Sequence, residues 1–121
     1  MRLHHVAVIV SDLERSARFY EGVLSLVRDT RPDLGFPGIF YALGNGQQLH
    51  LMQIDNPYRE TVRPDHGGRD LHFALTMNDL DSLIAKLDRE GVLYTKSRSG
   101  RAAIFFRDPD GNAIEVVKGE A

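Results

Sequence analysis

One carboxylate, Glu115, lies in an otherwise apolar segment, "AIEVV", close to the end of the chain. An ionised carboxylate among apolar side chains is costly unless it is paired with a cation or binds a metal. The chain has five histidines and no cysteine. A metal could therefore be held only by His, Asp or Glu, and neither disulfides nor thiolate sites are available. The chemistry of the chain depends on which groups meet Glu115.

An internal repeat indicates which groups these are. The segment "HVAVIVSDL" aligns with "HFALTMNDL", and "GQQLHL" aligns with "GNAIEV". The first alignment pairs His5 with His72, and the second pairs His50 with Glu115. If a pseudo-two-fold axis relates the two copies, the four side chains converge. We therefore predict a metal site with His5, His50, His72 and Glu115 as ligands.

Three imidazoles and one carboxylate are suited to a divalent ion such as Fe, Ni, Co, Zn or Mn. Glu115 is also the predicted catalytic residue, acting as a base if it is displaced from the metal. The alternative for each histidine is an ordinary core or surface side chain, and for His50 a polar face on an edge strand. His66 lies in a polar loop and is interpreted as solvated, with a role in a lid as the alternative.

Two copies of a strand, a helix and three strands are predicted to position these residues. Alternate residues of a strand share a face, so His5, His72 and Glu115 fall on faces with small neighbours. Ser11 and Glu14 have the spacing of a capping box at the start of the first helix. The predicted strands are 3–10, 26–30, 39–43, 48–53, 71–77, 93–97, 102–107 and 113–117. The predicted helices lie within 11–24 and at about 79–90, and a long loop covers 54–69.

Composition excludes some classes of protein. The chain has 121 residues and a formal net charge of −2, which argues against a nucleic-acid binder that depends on a strong positive field. No apolar run approaches the length of a membrane span, and no signal peptide is evident. We therefore expect a cytoplasmic protein without nucleic-acid or membrane partners. We predict a single domain, 1–121, with module one at about 1–55 and module two at about 68–121.

Three segments resemble one known superfamily. They are "LHHVAVIVSDLERSARFYEGVL", "DLHFALTMNDLDSLIAKLDREGV" and "FFRDPDGNAIEVV", and they are similar to the vicinal oxygen chelate proteins, which include glyoxalase I, methylmalonyl-CoA epimerase, extradiol dioxygenases and bleomycin-resistance proteins. The resemblance implies an α+β fold in which two βαβββ modules form a cupped mixed sheet around a metal. It places ligands at His5, His72 and Glu115. The fourth ligand position, often Glu or Gln in glyoxalase I and the epimerase, is His50 here.

The resemblance implies a metal-dependent enzyme of the lyase, isomerase or dioxygenase type that acts on a small oxygenated substrate. Arg98 and Arg101 would bind an anionic substrate, and a homodimer is expected. A fosfomycin thiol transferase activity is disfavoured because Ala7 and Phe105 replace a Thr and a Tyr of those enzymes. The alternatives are a non-catalytic small-molecule-binding protein like the bleomycin-resistance proteins, and a structural dimer with a vestigial histidine cluster.

Overall fold

The computed structural model describes residues 1–119. The chain forms two compact units, Met1–Glu60 and the residues from Thr61 onward. The elements follow the order β1 (His5–Val10), α1 (Leu13–Gly22), β2 (Val27–Asp29), β3 (Gly38–Gly44), β4 (Gln47–Gln53), a 3₁₀ turn (Gly67–Arg69), β5 (His72–Met77), α2 (Leu80–Arg89), β6 (Tyr94–Lys96), β7 (Ala103–Arg107) and β8 (Ala113–Lys118).

Each unit contains one four-stranded mixed sheet. The strand order is β1-β4-β3-β2 in the first unit and β5-β8-β7-β6 in the second. In both sheets the first and last strands of the module pair in parallel, and the remaining neighbours pair antiparallel. The predicted α+β fold with two βαβββ modules is confirmed. Because β4 lies inside its sheet, the interpretation of the His50 segment as an edge strand is wrong.

The register of the two sheets confirms the internal repeat. In the first unit Ala7 is opposite His50, and in the second Ala74 is opposite Glu115. Each of the two candidate ligands on a last strand therefore faces a small residue on the parallel neighbour. The small neighbour leaves room above the sheet for the larger polar side chain.

The helices begin at equivalent aspartates. The Asp12 side chain accepts a hydrogen bond from the backbone N–H of Arg15 at 3.1 Å, and Asp79 accepts one from Ser82 N–H at 3.0 Å. The predicted capping box at Ser11 is therefore wrong by one residue. The hydroxyl of Ser11 accepts instead from the Arg15 guanidinium, because the Asp12 carboxylate already caps the helix through the Arg15 N–H.

The core lies between the helices and one face of each sheet. Tyr20 on α1 packs against Tyr41, and both are fully buried together with Leu49 and Leu51 of the first unit. In the second unit Leu87 on α2 and Ile114 are fully buried. Neither helix in residues 1–119 has the length and hydropathy that a membrane-spanning helix needs. The opposite faces carry the polar residues described below.

Candidate metal and substrate site

His72 and Glu115 lie together on the second sheet. His72 opens β5, and Glu115 is on the neighbouring strand β8, opposite Ala74. The Nε2 atom of His72 is 3.5 Å from Oε1 of Glu115, whose side chain is only 5% exposed. The structure therefore brings these two predicted ligands into one pair on one sheet face.

A backbone carbonyl fixes the orientation of the His72 ring. Its Nδ1 atom lies 2.8 Å from the carbonyl oxygen of Asp70. A carbonyl can only accept, so Nδ1–H donates, and in the neutral ring Nε2 keeps its lone pair directed toward Glu115. A histidine ligand of a metal commonly has this arrangement, with its second nitrogen bonded to a carbonyl or carboxylate.

The carboxylate of Asp70 is held by two arginines. Its Oδ2 atom lies 2.7 Å from Nε of Arg63 and 2.7 Å from Nη1 of Arg107. These hydrogen bonds hold the pKa of Asp70 below its ordinary value although burial alone would raise it. The ion pairs tie the long loop to the β7–β8 hairpin, directly before the strand that begins with His72.

The buried charge of Glu115 also meets Arg101. The Arg101 Nη2 atom lies 3.2 Å from Oε2 of Glu115, and the Arg101 side chain is 60% exposed. Glu115 is therefore paired with a largely exposed guanidinium in addition to its contact with His72. Arg98, the other predicted substrate ligand, is exposed and forms no salt bridge within residues 1–119.

His5 and His50 form the equivalent pair on the first sheet. Their rings stack at 4.1 Å between centroids, with 16° between the planes. His50 also stacks on Phe40 at 3.5 Å, and its Nε2 atom lies 2.9 Å from Oε1 of Gln48. Because an amide oxygen can only accept, Nε2–H donates to Gln48, and Nδ1 of the neutral His50 ring keeps its lone pair.

Burial lowers the pKa of His50, and the nearby His5, His4 and Arg31 lower it further. A histidine with a lowered pKa is neutral over a wider pH range, and only the neutral imidazole can bind a metal. Two of the four predicted ligands lie in the first unit and two in the second. Within residues 1–119, no group of three or more His, Asp or Glu side chains is arranged to hold a metal, so the four-ligand site stays a prediction.

Sequence reasoning misjudged His66. The residue is only 8% exposed, and its Nδ1 atom lies 2.6 Å from the hydroxyl oxygen of Thr95. The expectation of a solvated residue is wrong because Gly67 lets the loop approach the sheet: an added Cβ there would lie 3.3 Å from Cβ of Phe105. The pair of glycines directly after His66 is the signal that could have indicated this close approach.

A family model described as the Glyoxalase/Bleomycin resistance protein/Dioxygenase superfamily matches residues 2–116. The chain belongs to this superfamily. The match covers both βαβββ modules and all four predicted ligands. The resemblance inferred from the three sequence segments is confirmed at the level of the superfamily.

Relatives within the superfamily differ in what is known of them. The chain is 29% identical to the uncharacterized protein YwkD of Bacillus subtilis, over 96% of this chain and 95% of YwkD. It is 28% identical to the glutathione transferase FosA of Serratia marcescens, over 97% of this chain and 80% of FosA. The similar proteins therefore include an enzyme, without defining a reaction for this chain.

A solved structure has the same fold. The E126Q mutant of the fosfomycin resistance protein FosX from Listeria monocytogenes, complexed with Mn(II) and 1S,2S-dihydroxypropylphosphonic acid, matches with a TM-score of 0.74 and 19% identity. The match covers 98% of this chain and 92% of that one. At this identity the likeness establishes the glyoxalase fold.

Proposed function

We propose that the chain is a divalent-metal-dependent enzyme of the glyoxalase superfamily that acts on a small oxygenated, anionic substrate. The ligands would be His5, His50, His72 and Glu115, and the metal Fe, Ni, Co, Zn or Mn. The observation that carries the proposal is the geometry of His72. The Nδ1–H of His72 donates a hydrogen bond to the Asp70 carbonyl, and its Nε2 atom faces the carboxylate of Glu115.

The donor set fits such an ion. Imidazole nitrogen and carboxylate oxygen are both ligands of these metals, and the buried carboxylate of Glu115 favours a nearby positive charge. A bound divalent cation would supply Lewis-acid stabilisation of an oxyanion that develops on the substrate. The repeat-equivalent pair, His5 and His50, offers two further imidazoles. The Mn(II) bound in FosX is consistent with this donor chemistry.

The chain's own residues have separable roles. Glu115 would accept a proton from the substrate on Oε2 once Arg101 moves away from it. Arg101 is largely exposed, so its guanidinium can leave Glu115 for an anionic group on the substrate, which Arg98 would also bind. The Asp70 carbonyl would keep the His72 ring in one tautomer throughout. The reaction would be of the lyase, isomerase or dioxygenase type.

Two residues beside the ligands disfavour a fosfomycin thiol transferase reaction. Ala7 lies opposite His50, and Phe105 lies opposite Glu115. Both positions are adjacent to a proposed ligand, and neither residue carries the hydroxyl that the resemblance associates with those enzymes. The similarity to FosA and FosX therefore supports the fold and the donor set of the proposed site, and not a shared substrate. A cytoplasmic homodimer remains our expectation for the assembly.

The second candidate is a non-catalytic protein that binds a small molecule without a metal. The Arg101–Glu115 ion pair favours it, because Arg101 already compensates the buried carboxylate in the protein alone. The two candidates differ in whether a cation displaces Arg101 from Glu115.

Calorimetric titration of chelator-treated protein with Mn²⁺, Fe²⁺, Co²⁺, Ni²⁺ and Zn²⁺ distinguishes the two candidates. A metalloenzyme gives a saturable site that Glu115→Gln weakens at least tenfold, since the amide removes a charged ligand. The control is Glu90→Gln, a substitution of an exposed acid that follows α2. Equal affinities in wild type and Glu115→Gln for every cation would reject the metal proposal and favour the binding protein.

A further inference from the structure

His66 is a further polar group at the second sheet, and it has no part in the proposed metal site. His66 reaches this sheet from the long loop, and its ring packs edge-on against Phe105, with 4.9 Å between the ring centroids and 69° between the planes. His72 packs against the same Phe105 ring at 5.2 Å. Phe105 is therefore a shared neighbour of His66 and a predicted metal ligand.

The strand register places these groups in one row. Thr95 on β6 is opposite Phe105 on β7, and Phe105 is opposite Glu115 on β8. Because directly opposed residues in a sheet share a face, Thr95, Phe105 and Glu115 project to the same side. His66 is bonded to the Thr95 end of this row, and His72 contacts the Glu115 end.

One nitrogen of His66 is available to a ligand. Nδ1 is bonded to the Thr95 hydroxyl at 2.6 Å, whereas Nε2 has no hydrogen-bond partner within residues 1–119. Nε2 is not fully buried, so this nitrogen retains contact with solvent although the residue as a whole is only 8% exposed. A Cβ on residue 68 would lie 2.7 Å from this nitrogen. Glycine at position 68 keeps the space beside Nε2 open.

The surroundings of His66 are positively charged. Burial lowers the pKa of His66, and the nearby charges of Arg98 and Arg69 lower it further, with a smaller effect from His72. His66 is therefore neutral near pH 7 and carries one ring proton. If the Thr95 hydroxyl donates to Nδ1, that proton is on Nε2, where it can be donated to a ligand.

We propose that His66 Nε2–H, assisted by Arg98, binds an anionic oxygen of the substrate, a carboxylate or a phosphate group. The subsite lies across Phe105 from Glu115. It rests on the proposed function in that Glu115 marks the reacting end of the substrate, and it names the chemical class of the other end. In this arrangement Thr95 donates to Nδ1 of His66 and acts as a positioning residue for the ring.

The test is an NMR titration of the purified full-length, chelator-treated protein with inorganic phosphate, read at the imidazole resonances of His66. We expect a saturable shift of the His66 resonances. His66→Phe, which keeps a ring against Phe105, should weaken phosphate binding about tenfold, as expected for the loss of one hydrogen bond to a charged group. Gly68→Ala should also weaken it by filling the space beside Nε2.

Arg98→Ala tests the role of Arg98, and Arg89→Ala is its matched arginine control. Arg98→Ala should weaken phosphate binding, and Arg89→Ala, at the end of α2, should not. The absence of a saturable His66 shift in the wild type would overturn the proposal without requiring any variant to fold. Wild-type phosphate affinity in His66→Phe would overturn it as well.

The outcome is separable from that of the proposed function. If cations bind as proposed but phosphate leaves the His66 resonances unchanged, only the subsite is wrong. If no cation binds but phosphate binds at His66, the metalloenzyme proposal is wrong and the anion subsite stands within a binding protein.

Discussion

Arg107 should be one of the most important charged residues for stability. Its side chain is 24% exposed and its partner Asp70 only 8%, so the ion pair is largely removed from water. Arg107 also donates to the backbone carbonyl oxygens of Gly111 and Pro64. The substitution Arg107→Ala removes all three interactions and separates the β7–β8 hairpin from the long loop.

The size of the effect follows from what remains around Asp70. Removing one partner of a buried ion pair costs about 3–5 kcal/mol. Arg63 stays at 2.7 Å from the Asp70 carboxylate and still compensates part of its charge. We therefore expect Arg107→Ala to lower the free energy of unfolding by about 3 kcal/mol, and the melting temperature by about 10 °C.

Urea unfolding followed by circular dichroism, at fixed protein concentration, measures this difference. Arg59→Ala is the control: Arg59 pairs with Asp55 at the same 2.7 Å distance, but the two side chains are 63% and 82% exposed. An exposed pair contributes less than about 1 kcal/mol. A double-mutant cycle with Asp70→Asn should give a coupling energy above about 1 kcal/mol. Equal effects of Arg107→Ala and Arg59→Ala, with no coupling, would refute the reasoning.

Other substitutions test local features of the fold. Burial raises the pKa of the Tyr41 hydroxyl well above its ordinary value of 10.0, with a neighbouring carboxylate adding to the effect. Above that value the unfolded chain loses the proton and the folded chain keeps it, so stability should fall by about 1.4 kcal/mol per pH unit. Tyr41→Phe should flatten this decline in urea unfolding measured from about pH 9 to about pH 11; an unchanged slope would contradict the assignment. Asp12→Ala should cost about 1 kcal/mol and Ser11→Ala less than about 0.5 kcal/mol, and the reverse order would restore the capping box. Gly38→Ala places a Cβ 2.5 Å from a backbone carbonyl and should cost about 1–3 kcal/mol. Gly22→Ala on α1, where no atom lies within 4 Å, should be neutral or stabilising; equal melting temperatures for the two glycine variants would show that the backbone yields at position 38.

Local sequence signals predicted the order of strands and helices because each element has its own periodicity or turn chemistry, and the family resemblance supplied the arrangement of the sheets. The "GNG" segment is an example: Asn45 and Gly46 both have positive φ, 52° and 77°, as a two-residue hairpin turn requires. The alternation of β5 and β8 placed His72 and Glu115 on faces that could meet, and the structure brings them together.

The rest depended on contacts between distant parts of the chain. Arg63 and Arg107 converge on Asp70 only after the long loop has folded over the hairpin, and neither spacing nor composition indicates this. The burial of His66 has the same origin, since its neighbours in sequence are polar or glycine. Asp12 rather than Ser11 caps the helix because the helix begins one residue later than predicted, and sequence patterns are least accurate at such boundaries.

The metal content of the purified, untagged protein tests the central claim most directly. We would measure it by inductively coupled plasma mass spectrometry in the wild type, in His72→Ala and in Thr76→Ala. Thr76 is exposed on the same strand and face as His72, which makes it a matched control. Near-stoichiometric divalent metal in the wild type and in Thr76→Ala, lost in His72→Ala, is the predicted result. Equal metal content in His72→Ala and the wild type, or no metal after reconstitution with each candidate ion, would contradict the account.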